Sequence, residues 1–316
     1  MKELIKTSGN WYKGNFHMHT TLSDGQQTPL EAIETYRKNG YDFIALTDHR
    51  KPNTTIEPHQ KGFVGEYEVD AKEMLILSGV EWDTGGANTN LEGDVPTFHI
   101  LGIGMDLPQE PEFASIHHPK PQAIVDEINK HNGIAILAHP CWSVMDPSSI
   151  QEVQGLTAAE IFNTVSGLPW NGDRSESSTW FDIWATHYQI YMTAVSGDDT
   201  HHYSGDECQS FNMINAKSLS RNDILEAVKE GNCYCSQGPI IHQIGLDEEK
   251  NEIVISCSED VQTAVFYSNH IWRKDRVKHV EEGKVTYPIM KGDTYVRVEL
   301  ITIDGKKAWT SPFEVK

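Results

Sequence analysis

Residues 28–49, TPLEAIETYRKNGYDFIALTDH, contain a complete helix-to-strand unit whose boundaries are set by side-chain chemistry. Thr28 can cap the helix, Pro29 suits the first helical position because no backbone N–H is needed there, and Glu31 completes a capping box. Asn39-Gly40 stops the helix. The strand YDFIALT follows at once and runs into two polar residues, Asp48 and His49. The unit recurs: PQAIVDEINKHNG (121–133) leads into IAILAH (134–139), and STWFDIWATH (178–187) into IYMTAVSG (190–197). A last helix, SRNDILEAVKEG (220–231), has Ser220 as cap and Gly231 as stop. Such alternation predicts an α/β fold with parallel strands and outer helices, either an open sheet or a barrel, with function at the carboxyl ends of the strands.

After SQGP (236–239) the rhythm changes to strands separated by turns: IIHQIGL, NEIVISCS, QTAVFYSN, KVTYPIM and TYVRVELITI. In the last, Val296, Val298 and Leu300 alternate with Tyr295, Arg297 and Glu299, the pattern of a half-buried strand. These strands read as a small β-sandwich, which divides the chain into an α/β domain, 1–237, and an all-β accessory domain, 238–316. A length of 316 residues exceeds what one core usually serves. A chain ending near Pro239 is therefore expected to keep the functional site.

The chain carries 26 lysines and arginines against 46 aspartates and glutamates, a formal charge of −20. That field repels polyanions and argues against a nucleic-acid polymer or an anionic membrane as partner. No run approaches the roughly 20 apolar residues of a membrane span, and MKELIKTSGNWYKGN lacks a secretory apolar segment. The five cysteines, Cys141, Cys208, Cys233, Cys235 and Cys257, form no CxxC pair and leave one unpaired, so a disulfide framework is not expected. Reduced thiols and no leader predict a cytoplasmic protein.

Polar residues stand wherever an α/β strand stops. NFHMHTTLSDG (15–25) offers His17, His19 and Asp24; Asp48 and His49 follow YDFIALT; Glu81 follows EMLILSGV; His99 opens HILGIG; His139 follows IAILA; Asp198, Asp199, Thr200 and His201 follow YMTAVSG. One such residue would most often be a cap or a satisfied core histidine. Repetition at one end of a sheet instead predicts a shared site. Imidazole nitrogens with carboxylate oxygens and no thiolate suit zinc, manganese or iron in a site that keeps water positions open. The nucleophile is then expected to be a metal-bound hydroxide, with no side-chain nucleophile.

FHMHTTLSDG, ALTDH, GVEW, HILGIG, LAHP and SGDDTHH resemble, in order, the motifs of the PHP (polymerase and histidinol phosphatase) family of metal-dependent phosphoesterases. The resemblance implies a distorted (β/α)7 barrel holding two or three divalent ions. Carried over, it implies that His17, His19, Glu81 and Asp199 hold one ion, that Glu81, His99 and His139 hold a second, and that Asp24, His49 and His201 hold a third. Some family members have histidine where this chain has Asp24. EIFN (160–163), the tryptophan-rich helix at Trp180–Trp184 and AWTSPFEV more loosely resemble the branch with an appended β domain, which includes carbaryl-hydrolase-like metallohydrolases.

The sequence thus predicts a hydrolase cleaving a small phosphomonoester. Two readings stand against it, a carboxylic or carbamic esterase on the same centre and a non-catalytic metal- or ligand-binding module. Asp48 is expected to orient an imidazole. Arg50, Lys51, Arg174, His118 and His202 are candidates for substrate contact, and Trp142 for a pocket wall.

Overall fold

The computed structural model describes residues 1–84, 97–106 and 119–315; His118 lies outside them. The first part of the chain contains β1 (Lys2–Glu3), β2 (Asn10–Asn15), α1 (Pro29–Lys38), β3 (Phe43–Ala45), a hairpin of β4 (Lys61–Val64) and β5 (Tyr67–Asp70), β6 (Leu75–Leu77), β7 (Gly79–Asp83) and β8 (His99–Ile103). It continues through α2 (Pro121–Lys130), β9 (Ile134–Leu137), β10 (Ala158–Asn163), α3 (Ser178–Ile183), β11 (Thr193–Gly197), β12 (Phe211–Ala216), α4 (Arg221–Lys229) and β13 (Cys233–Ser236). The remainder is β14 (Ile241–Asp247), β15 (Glu252–Cys257), β16 (Val261–Tyr267), β17 (Val277–His279), β18 (Lys284–Pro288), β19 (Tyr295–Thr302), β20 (Lys307–Trp309) and β21 (Phe313–Glu314).

The helix boundaries follow the sequence chemistry. Thr28 Oγ1 accepts from the Glu31 backbone N–H while the Glu31 carboxylate accepts from Thr28 N at 2.9 Å, and Pro29 opens α1. Gly40 sits at φ +72, where a Cβ would be strained. Ser220 caps α4 through the Asp223 N–H. The helix α3 continues as a π turn, Trp184–Tyr188.

The sheets are mixed, not wholly parallel. One runs β11-β10-β9-β8-β7, with β9, β10 and β11 parallel but β8 antiparallel to both neighbours. A second runs β17-β16-β19-β20-β13-β12-β2-β3-β6, with β2, β3 and β6 parallel and β12 antiparallel to β2. Two isolated parallel bridges join these sheets: Met18–Thr200, beyond the ends of β2 and β11, and His49–Glu81, from beyond β3 to the middle of β7. Among the described residues the ladder does not close into a barrel. The reversal of β8 explains why His99 can share a site with strand-end residues: the first residue of an antiparallel strand lies beside the last of its neighbours, and His99 pairs with Asp83.

The second sheet also crosses residue 237. The β13–β20 pairing places Cys235 opposite Trp309 and Ser236 opposite Ala308. Beyond it, the sheet β1-β14-β15-β18 packs on β16 and β19 through a buried apolar cluster that includes Ile244, Ile255, Phe266, Tyr287, Val298 and Leu300. β19 is not half-buried as its alternation predicts. Tyr295, Arg297 and Glu299 are nearly inaccessible, because the face they occupy is covered by α3: Arg297 Nε and Nη2 donate to Asp182 Oδ1 and Oδ2 at 2.9 and 2.8 Å, and Nη1 to Glu299 at 2.7 Å. No helix among the described residues is long and apolar enough to cross a membrane. All five cysteines are free thiols.

Candidate metal centre

The polar residues beyond the strand ends converge. Past β2, the chain extends through His17 and His19, and their Nε2 atoms lie 3.3 Å apart. Asp199 Oδ1 stands 3.2 Å from His17 Nε2 and 3.0 Å from His19 Nε2. Glu81, the middle residue of β7, completes this group, with Oε2 at 3.3 and 3.2 Å from the same two nitrogens. Its other oxygen faces His99 Nδ1 at 2.7 Å and His139 Nε2 at 3.4 Å. Further out, Asp24 lies 3.6 Å from His49 Nε2 and 3.5 Å from His201 Nε2, and 3.6 Å from His19 Nδ1. The donor atoms of each group, His17/His19/Glu81/Asp199, Glu81/His99/His139 and His19/Asp24/His49/His201, all lie within 4.8 Å of one another. The structure therefore brings all nine sequence-predicted ligands into one cluster, and adds His19 to the outer group.

Imidazoles packed this closely must be oriented from behind. His17 Nδ1 pairs with Glu160 Oε1 at 2.8 Å, His201 Nδ1 donates to the Asp199 carbonyl at 2.7 Å, and His139 Nδ1 lies 3.2 Å from Ser143 Oγ. Each contact leaves Nε2 for the centre, the arrangement by which outer partners fix a ligand's tautomer. Glu160 and Asn163 were missed from sequence, because a glutamate inside the apolar strand AAEIFN gives no periodic signal. Glu160 Oε2 also accepts from the His139 N–H at 2.9 Å and from Asn163 Nδ2 at 2.8 Å. Gly197 makes room for this: a Cβ there would collide with Glu160 Oε1 and sit 2.6 Å from His17 Cβ. Glu160→Gln is expected to weaken metal binding by about 10- to 100-fold with little loss of stability, measured by competition with a chelating dye.

Among the described residues Asp48 makes no direct hydrogen bond to an imidazole. Its oxygens accept from Thr20 N at 2.7 Å, Thr20 Oγ1 at 2.8 Å, Ser23 N at 3.1 Å and Ser23 Oγ at 2.8 Å, so it ties down the turn that presents His19 and Asp24. His139 and Asp199 hold φ +27 and +54, a left-handed backbone that non-glycine residues seldom adopt outside constrained sites. Neighbouring Asp198 is buried away from the cluster, which pushes it up to about 6 against hydrogen bonds from Tyr36, Ser210 and Thr164.

Charge in the cluster is balanced by protons when no cation is bound. Burial disfavours charged His17 and His19, but Asp199, Glu160 and Glu81 hold His17 well above the usual range, and Asp199 and Glu81 lift His19 to about 9. Burial likewise opposes ionised Glu81 and Asp199, yet His17 and its neighbours hold both below the ordinary carboxylate range. The raised His19 stabilises the metal-free fold fully below its unfolded value near 6.5, and that contribution is lost as pH rises through about 9. A cation must displace this proton. Metal binding at about pH 7.5 is thus expected to release at least about one proton per chain, with the share from His19 falling away as pH rises past about 9. Calorimetry in buffers of different ionisation enthalpy measures it.

The centre forms the floor of a cavity of about 320 Å³ whose described lining includes Trp142, Val165, Trp170, Asn171 and His202 with Asp24, His49, Glu81, His99, His139, Asp199 and His201. Trp142 and His202 are therefore at the site. Arg50 and Arg174 are not among the lining residues. Arg50 turns outward to Asp83 at 2.8 Å, and Arg174 is exposed. Lys51 is exposed as well.

No family model matches the chain. A DNA polymerase/3'-5' exonuclease of Bacillus subtilis is 30% identical over 143 residues, 40% of this chain and 23% of that protein. A 5'-3' exoribonuclease of Haemophilus influenzae is 34% identical over 96 residues, 30% of this chain and 29% of that protein. The matches thus span under a third of either relative's length. A two-domain protein of Bacteroides vulgatus containing a predicted PHP-like metal-dependent phosphoesterase superposes with a TM-score of 0.53 and 16% identity, covering 98% of both chains. The chain shares its fold, end to end, with that PHP-like protein.

Proposed function

We propose that the chain is a metal-dependent hydrolase, and within that class a phosphoesterase cleaving a small phosphomonoester. The observation that carries this is the convergence of three donor groups of imidazole and carboxylate, without a thiolate, on the floor of one open cavity. Two or three divalent ions, zinc, manganese or iron, fit this donor set, and when bound they would supply an acidified water and neutralise phosphoryl charge. Glu81 is shared by two groups and sets the spacing between them. Glu160 holds His17 with Nε2 inward. With Gln26 Nε2 lying 3.2 Å from His202 Nδ1, the other ring nitrogen of this cavity-wall residue is the one that can hydrogen-bond a leaving oxygen. A cavity of about 320 Å³ and a charge of −20 favour a small molecule over a polymer.

We read β2, β3, β7, β8, β9, β10 and β11 as the distorted (β/α)7 barrel, with the two isolated bridges in place of full ladders. We read 238–316 as its β-sandwich accessory domain, since every proposed ligand precedes it. The described cavity lining has no lysine or arginine, and this keeps a carboxylic or carbamic ester as the second reading. A panel of p-nitrophenyl phosphate, bis-p-nitrophenyl phosphate and p-nitrophenyl acetate, assayed on one metal-analysed preparation, tests the proposal. The monoester is expected to be cleaved fastest. Cleavage of the acetate alone would select the second reading, and a metal-loaded protein inert to all three would mark a binding module.

A further inference from the structure

Two tryptophans at the cavity have no role in holding ions. The indole of Trp142 stands edge-on to His139 at 4.9 Å and to His99 at 5.8 Å, so it rises beside the Glu81/His99/His139 group. Its Nε1 donates to Asn171 Oδ1 at 2.8 Å, and Asn171 Nδ2 donates to the Val165 carbonyl at 3.2 Å. Trp170, in the same 3-10 turn (Pro169–Asn171), stands edge-on to His202 at 6.3 Å, beside the outer group. It is 71% exposed and lines the cavity, so its ring is accessible to a molecule bound there.

The turn that carries Trp170 is held in place without a ligand. Asn163 N bonds to the Ser175 carbonyl, Ser177 N to the Ile161 carbonyl and Arg174 N to the Ser166 carbonyl, which closes the loop on its own base. The Lys307–Glu176 ion pair then clasps that base to β20. The wall beside the candidate metal centre is thus preformed, and its apolar members are Trp142, Val165 and Trp170. Among the described lining residues there is no lysine or arginine to read a second phosphate or a carboxylate.

We infer that Trp142 and Trp170 form an aromatic collar that binds the leaving group of the substrate, and that this group is a flat aromatic ring. The inference rests on the phosphoesterase reading and names its substrate class as aryl phosphomonoesters. In the reaction water adds its oxygen to phosphorus, the phosphorus–oxygen bond to the aryl group breaks, and the proton ends on the aryl oxygen, giving phosphate and a phenol. An aryl oxide leaves with less help from an acid than an alkoxide does, which suits a wall whose described polar groups beyond the ligands are Asn171 and His202.

Binding and turnover together test this. Phenylphosphonate and methylphosphonate, which present the same charged group with and without a ring, are titrated into manganese-loaded protein by calorimetry, with tryptophan emission recorded. Phenylphosphonate is expected to bind about 10- to 100-fold more tightly and to change the emission, and Trp170→Ala to bring the two within about 3-fold, since ring stacking has that order of effect. Trp170→Phe should restore much of the preference. Equal binding of the two by the native protein, no binding of either, or a preference unmoved by Trp170→Ala and by Trp142→Ala would overturn the collar. Turnover of phenyl phosphate against glycerol phosphate separates the two levels of the argument. A ring preference in binding with no ester cleaved keeps the collar and removes the phosphoesterase reading, whereas equal cleavage of both esters does the reverse.

Discussion

Replacing Glu81 with alanine is expected to lower bound metal by about two equivalents and hydrolysis by about 1,000-fold or more, because one carboxylate serves two donor groups. Glu81 is 1% exposed and faces His17, His19 and His49 through Oε2 and His99 and His139 through Oε1. Its loss leaves the ions less compensated and the imidazoles without a common partner. Asp24→Ala is the matched control. Asp24 belongs to the outer group alone, so metal should fall by about one equivalent and the rate by about 100-fold. Elemental analysis of the two variants decides. Equal losses would remove Glu81 from its shared position, and full stoichiometry in Asp24→Ala would leave Asp24 as a turn residue.

Ending the chain at Pro239 is expected to abolish folding, contrary to the expectation drawn from sequence. Truncation removes β20, the neighbour of β13, and so bares a strand edge. It also removes Trp309, fully buried in the cluster that holds Phe162, Phe181 and Trp184, where its ring stacks on Phe162 at 5.0 Å. Asp182 of α3 loses both contacts to Arg297. The milder variant Trp309→Ala, in the full chain, is expected to lose about 3–5 kcal/mol and roughly 10 °C in Tm. A cooperative, native-like melt from the truncated chain would show that residues 1–239 form an independent unit.

Much of the site was legible because its chemistry sits at strand ends, where sequence marks the position twice: by the apolar run that stops and by the polar residue that follows. His17, His19, His49, His139 and Asp199 were found that way. Glu160 was not, because it lies within a strand and serves His17 from behind. Asp48 was read by its neighbour His49, whereas its four hydrogen bonds lead to Thr20 and Ser23. The strands of β7–β9 were legible but not their directions, since a strand's composition does not encode which way its neighbour runs. Arg297 shows the same limit in the other half: alternating polarity gave it to solvent, while α3, more than a hundred residues earlier in the chain, buries it against Asp182.

The most direct test is the activity of protein stripped of metal. A preparation shown by elemental analysis to be metal-free should hydrolyse none of the esters on the panel, and adding back manganese, iron or zinc should restore turnover in proportion to the equivalents bound. Undiminished hydrolysis by verified metal-free protein would contradict the account.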